Sequence, residues 1–315
     1  SAKKYFELPV AREYDRRSGT LSLRVYSGSD PSAITEEWGL EPIVTVSPDI
    51  SGNELFVGDG AGYIEIADVP PGSYTLHPVF TDGTQDLTVE VEPGGTVEET
   101  IELPSTGLYY YLINVKSDVT QLQQSDVRTA MSQATVRDDI IAAYDDGESH
   151  TVATSLVPPS LIHDGVSDLS SVTESTTAAS EALQGVGPFD FDLVHNEFEE
   201  HEPRATELKE QLEALDAVGT ITLVEQTWED YLATRSDFDF DTARAGWVLD
   251  ANNLLNYLTT LADQSGYTHS ELDTLVSQAE SALENQDLAT HVERVEDIHD
   301  HLLGAMVVIP VFYEE

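Results

Sequence analysis

The sequence predicts a multidomain α+β protein in which an N-terminal antiparallel β-sandwich is followed by a mainly helical bundle domain with a small sheet. Three observations predict it. The first hundred residues alternate apolar and polar positions between Gly- and Pro-rich turns. From Ser117 onward the apolar spacing changes to threes and fours. Between the two regimes stands Leu103-Pro104-Ser105-Thr106-Gly107, a loop composition. The expected division is an N-terminal arm at 1–16, a sandwich at 17–103, a linker at 104–107 and a mainly helical domain at 108–315. A chain of 315 residues can supply a core to each of two domains.

The strands come in order. "TLSLRVY" (20–26) puts Leu21, Leu23 and Val25 on one face, and "PIVTVSP", "YIEIADV", "YTLHPVF", "DLTVEVE" and "TVEETIEL" follow at short intervals. Gly58 to Gly62, Thr81-Asp82-Gly83-Thr84 and Pro93-Gly94-Gly95-Thr96 punctuate them. Pro70-Pro71-Gly72-Ser73 is expected to join two neighbouring strands and set their register, since proline fixes φ and removes an N–H. The stretch from Arg17 to Leu103, with "GYIEIADVPPGSYTL" at its centre, resembles the transthyretin-like, or carboxypeptidase regulatory-like, sandwiches and their relatives the collagen-adhesin B repeats. The resemblance implies a spacer, stalk or adhesion module. The Lys to Asn isopeptide bond of some such adhesins is not expected, because the nearby lysines are Lys3 and Lys4 and the one asparagine within the module is Asn53 in a Gly-rich turn.

Beyond the linker, "LYYYLINV" (108–115) reads as a strand. Val127, Ala130, Met131, Ala134 and Ile141 then line one helix ending at Asp145-Asp146-Gly147. Leu169 to Leu183 and Leu208 to Leu215 predict two more, and Asp241 to Ala262 a fourth that buries Trp247. Ser270 caps a fifth, and Val292 to Leu303 marks the last. "TVATSLV", "TITLVE" and "MVVIPVFY" supply short strands for the small sheet. In the "FDFD" repeats at 189–192 and 238–241 the phenylalanines are expected to anchor loops.

Charge narrows the function. There are 14 Lys plus Arg against 59 Asp plus Glu, a formal net of −45. Apolar residues make up 40% of the chain and the acids are spread along it, which excludes an acidic disordered tail. A surface so charged repels itself at physiological ionic strength and is screened in molar salt. In composition, with only four lysines, the chain resembles proteins of extremely halophilic archaea. Nucleic-acid binding is not expected, because phosphate demands a basic face. There is no cysteine, no apolar run of membrane-spanning length and no signal-peptide core.

No nucleophile elbow, P-loop or dinucleotide fingerprint is present, so no enzyme and no cofactor are expected. Two histidine clusters, His195 to His201 and His291 to His301, raise a metal site. His195 and Glu199 hold the i, i+4 spacing of helical ligands, and His291 and His299 lie two turns apart, so these four are the metal candidates. The resulting expectation is a non-catalytic structural or interaction protein of an extreme halophile, a component of a virion or extracellular surface assembly with the sandwich as spacer or docking module. Its partners would be proteins in a homo- or hetero-oligomeric assembly, docked through Lys3 and Lys4 of the arm or through a C-terminal strand added to a neighbour's sheet. The competing reading is a soluble ligand-binding or enzymatic helical domain with an accessory sandwich; the expected location is a virion or the cell surface of a haloarchaeal system, with the cytoplasm left open.

Overall fold

Period-two alternation builds the first seven strands. The computed structural model describes residues 17–27, 40–103, 106–145, 147, 149–166, 169–248 and 253–314; the expected arm at 1–16 lies outside them. β1 (Gly19–Ser27), β4 (Tyr63–Val69) and β7 (Thr96–Leu103) form a sheet in the order β4-β1-β7. β2 (Ile43–Ile50), β3 (Asn53–Val57), β5 (Gly72–Pro78) and β6 (Leu87–Val91) form a second, β3-β2-β5-β6. Leu21, Leu23, Val25, Ile64 and Ile66 from one sheet pack with Val44, Val46, Tyr74, Leu76 and Val89 from the other.

The Pro-Pro-Gly turn does not join paired neighbours. β4 pairs only with β1, whereas β5 pairs with β2 and β6. The two prolines offer no N–H to a ladder, so the turn leaves one sheet and enters the other. Tyr74 donates its hydroxyl to the Pro70 carbonyl at 2.8 Å and braces the crossing.

The rest of the chain is α/β. Its sheet contains β8 (Gly107–Ile113), β9 (Thr151–Val152), β10 (Phe189–Asn196), β11 (Val218–Gln226), β12 (Thr242–Val248) and β13 (Val308–Glu314), in the order β11-β10-β12-β8-β13-β9. β10 runs parallel to β11 and to β12; β8 is antiparallel to β12 and β13. α1 (Ser125–Ala134), α2 (Arg137–Ala142), α3 (Thr176–Ala182) and α4 (His201–Glu213) accompany α5 (Trp228–Ser236), α6 (Leu254–Ser265), α7 (Ser270–Glu284) and α8 (Leu288–Ala305). Both faces of the sheet are covered. Tyr109, Tyr111 and Ile113 pack with Met131 of α1 and Leu208 of α4, while Leu108, Tyr110 and Leu112 pack with Leu258 of α6 and Ile298 of α8. A strand buried on both sides is apolar throughout, which is why "GLYYYLI" shows no alternation.

This overturns the expected sandwich followed by a separate helical bundle with a minor sheet. Strands and helices interleave, and the six-stranded sheet is the middle layer. Trp247, expected on a helix, lies in β12, because the apolar spacing there belongs to two elements, the strand and α6, whose N-cap Asn253 accepts from the Asn256 N–H. Phe189 and Phe191, expected in a loop, are inward positions of β10. The helix expected over 127–141 breaks at Thr135 and Val136 into α1 and α2. Nor are the two parts unconnected: the sandwich keeps its own core, but its Ile43, Leu55, Val79 and Phe80 are buried in the same cluster as the α6 and α8 side chains. The C-terminal strand does not await a partner's sheet, since β13 is paired by β8 on one side and β9 on the other.

Buried arginines replace backbone partners where elements end. Arg128 donates through Nε to the Ala305 and Met306 carbonyls at 2.9 and 3.1 Å, closing the C-terminus of α8. Fully buried Arg137 donates to the carbonyls of Pro310 (2.7 Å) and Thr135 (3.0 Å) and to the Ser132 hydroxyl (3.0 Å). It thereby ties the α1–α2 break to β13.

Candidate functional site

The connection β10-α4-β11 crosses the face that holds Leu208, and the following β11-α5-β12 connection crosses the opposite face, where Tyr231 of α5 is buried. β11 and β12 consequently flank β10 on its two sides. In open α/β sheets the crevice at the carboxyl ends of strands whose connections diverge in this way is where ligands bind.

That end of the sheet is where polar groups gather. His195 and Asn196 end β10, and Glu200, His201 and Arg204 begin α4. Arg244 of β12 sits opposite Tyr111 of β8 in register, and Glu314 ends β13. The guanidinium carbons of Arg204 and Arg244 stand 5.3 and 4.8 Å from the centre of the Tyr109 ring, which stacks on Phe312 at 4.6 Å. Arg204 pairs with Glu200 at 2.6 Å. Tyr109 and Tyr111 are fully buried, and neither hydroxyl closes a well-formed hydrogen bond, although that of Tyr109 lies toward Arg244. The Arg244 Nε, Asn196 Oδ1 and Gln226 Oε1 are likewise buried without a hydrogen bond. A buried polar atom left this way costs about 1 to 3 kcal/mol, and native proteins tolerate such groups where they serve a ligand or an ordered water.

The electrostatics follow from burial. His201 is pushed down to about 3 by burial first and then by Arg244, His195 and Arg204, so its imidazole is neutral at working pH. Its Nδ1 stands 3.4 Å from a Glu200 oxygen, close but poorly aligned for a hydrogen bond. Burial raises the Glu314 carboxyl, helped by Glu200 and opposed by Arg244 and Arg204. The cluster thus sets the half-buried Arg244 guanidinium and two carboxylates over aromatic rings, with Arg204 buried beneath and paired to Glu200. Glu200, Arg244 and Glu314 are half-buried, and Phe198, 63% exposed, lies over His201 at 5.3 Å between ring centres. Such a surface fits a small solute carrying both charges.

The four metal candidates do not meet. His195 is buried in β10 with Nδ1 3.3 Å from the Asn196 carbonyl, and exposed Glu199 accepts from the Tyr144 hydroxyl at 3.3 Å. His291 presents Nδ1 to the Ala279 carbonyl at 3.0 Å. His299 contacts Ser155 Oγ at 2.9 Å through Nε2 and Asp300 through Nδ1. Sequence reasoning overlooked Arg204 and Arg244; the signal was arginine at core-facing positions of a helix and a strand in a chain with few cations.

A second concavity, a cleft of about 700 Å³, opens where Glu41 and Val57 approach α6 and α7; Glu280 and Glu284 make it acidic, with no cation among its lining residues. Among the described residues no helix is long and apolar enough to cross a membrane.

Comparison with known proteins agrees with the solute reading. The profile of the bacterial extracellular solute-binding proteins, family 5 middle, matches residues 76–269. The chain is similar to the periplasmic oligopeptide-binding protein OppA of Salmonella typhimurium, with 26% identity over 224 residues covering 65% of this chain and 39% of that protein. It therefore spans well under half of the curated relative's length. Among solved structures it is similar to the unliganded open form of the periplasmic murein tripeptide-binding protein MppA, with a TM-score of 0.57, 23% identity, and coverage of 67% of this chain and 42% of that one. The oligopeptide-binding protein AppA of Bacillus subtilis, solved with a nonapeptide, gives a TM-score of 0.56 at 19% identity, covering 66% and 45%.

These matches correct the sequence-based reading. The relatives are bacterial binding proteins, several of them periplasmic, so the expected haloarchaeal virion or surface-assembly component is overturned, and with it the transthyretin-like assignment. Over about two thirds of the chain the fold is that of periplasmic binding proteins. The net charge of −45 remains a property of the chain and does not assign its source. The family binds solutes and is not catalytic, as the absence of enzyme motifs led one to expect.

Proposed function

The chain belongs to the bacterial extracellular solute-binding proteins of family 5, and on that basis we propose that it captures a peptide or peptide-like solute outside the cytoplasm for a membrane transporter. The observation that carries the reading is the gathering of Arg204, Arg244, Glu200 and Glu314 around buried Tyr109, at the carboxyl end of β10. A guanidinium fork matches a terminal carboxylate bidentately, and a carboxylate matches a terminal ammonium. Tyr109, Tyr111 and Phe312 form the buried apolar bed beneath these charges. The names of OppA, MppA and AppA point to peptides as the solute class.

Calorimetric titration with short peptides, each also prepared with an amidated C-terminus, tests this. Binding that weakens at least tenfold on amidation, and again in the Arg244→Ala variant, is the expected result. Equal affinity for free and amidated peptides, or no peptide binding by the folded chain, would overturn it.

A further inference from the structure

On the other face of the sheet, the α7–α8 hairpin carries a group of side chains that the solute reading does not use. His269 is the N-cap of α7, Glu271 lies in its first turn and His301 in the last turns of α8. One potential ligand atom from each lies within 4.8 Å of the others, the one such His/Asp/Glu trio among the described residues.

The orientation of each ring is determined by its neighbours. The His301 Nε2 is 3.0 Å from the Tyr267 hydroxyl. In the tautomer that donates Nε2–H to that hydroxyl, Nδ1 carries the lone pair, and it faces the Glu271 carboxylate at 3.7 Å. That distance is too long for a hydrogen bond and places two electron-rich atoms toward one point. His269 accepts the Glu271 N–H at Nδ1 (3.3 Å), so its proton sits on Nε2 and Nδ1 carries the lone pair; an ion bound at Nδ1 replaces that long capping bond. Its ring lies nearly parallel to Tyr267, 7° between planes, and 5.0 Å from the His301 ring. Tyr267 thus serves as the outer partner that metal-bound histidines commonly have.

We propose that His269, Glu271 and His301 form a binding site for a divalent transition-metal ion of the zinc class. Two imidazoles and one carboxylate are a recurrent donor set for Zn²⁺, and a solvent molecule takes the fourth position of its tetrahedron. Metal–ligand bonds of about 2.0 to 2.2 Å need ligand atoms roughly 3.3 Å apart, so the side chains close inward on binding. His269 and Glu271 are exposed and free to make that rotation. A bound ion would fasten the start of α7 to the end of α8.

The full chain, stripped with a chelator, is titrated with ZnCl₂ alone by calorimetry, and its melting temperature is followed. One saturable equivalent of Zn²⁺ with a rise in melting temperature is expected, with affinity falling at least tenfold in His301→Gln and in His269→Gln. His163→Gln should bind as the parent does. Co²⁺ should give the intense visible absorption of a tetrahedral site in the parent and not in either variant. Since His269 is exposed, its replacement leaves folding intact, as circular dichroism would verify. No saturable binding, or undiminished binding in the His269→Gln variant, would overturn the site.

Discussion

The side-chain amide of Gln286 pairs with the backbone of Leu55 in both directions, accepting its N–H at 3.0 Å and donating to its carbonyl at 2.9 Å. β3 is an edge strand, and the glutamine, in the turn between α7 and α8, completes its ladder as a neighbouring strand would.

Gln286→Ala should therefore lower stability by about 1 to 3 kcal/mol, because two part-buried backbone groups lose their partner. Hydrogen exchange at the Leu55 amide would accelerate selectively. Unchanged exchange there would show that the pairing does not hold the edge.

Two histidines should give the stability profile limbs of opposite sign. His77 bridges Asp164 (3.0 Å) and Asp86 (2.6 Å), and it is raised from 6.5 to about 9, chiefly by the Asp164 hydrogen bond. Its contribution is complete below pH 6.5 and is lost as pH rises through about 9. His201 is lowered from 6.5 to about 3 by burial, so its neutral form favours the fold above pH 6.5 and that favour disappears as pH falls toward 3. Melting temperatures across this range should show His77→Gln flattening the alkaline limb and His201→Asn the acid limb. A profile that keeps both slopes in the variants would refute the assignment.

Arg137→Ala should destabilise by about 3 kcal/mol or more, because the Pro310 and Thr135 carbonyls and the Ser132 hydroxyl lose a fully buried partner together. Urea unfolding measures it. A loss under about 1 kcal/mol would mean that water replaces the guanidinium.

We propose that residues 104–107 mark a division in the chain but not in its packing. Cleavage there by limited proteolysis should yield two fragments that still elute together, held by the shared Phe80 cluster, the Gln286–Leu55 pair and the His77–Asp164 bridge. Separation without denaturant would show instead that the contacts across the division are too weak to matter.

Helix ends and apolar stripes were legible where the determinants are local. The start of α7 was legible to within one residue, its N-cap being His269 and not the expected Ser270; Gly266 ends α6 at φ 71°, and the 3–4 spacing of Val292, Val295, Ile298 and Leu302 is the buried face of α8. β10 was missed although Phe189 and Phe191 alternate with Asp190 and Asp192, because a four-residue pattern beside Gly and Pro reads equally as a loop. The site was missed for a different reason. Arg204 and Arg244 are 40 positions apart, so nothing local joins them into one cluster.

By itself, the sequence determined composition, the period of its most regular strands and helices, and the absence of catalytic motifs, since each depends on residues within a few positions of one another. Only the tertiary structure decided that Pro70-Pro71-Gly72 crosses between sheets, that the two parts meet in a shared cluster at Phe80, and that β13 is an interior strand of the six-stranded sheet. It alone brought Tyr109, Arg204, Arg244 and Glu314 to one end of β10, and His269 and Glu271 to His301. The physical reason is that strand order and long-range burial depend on which apolar faces meet, and residues far apart in the chain acquire their electrostatic environment only once those faces have packed.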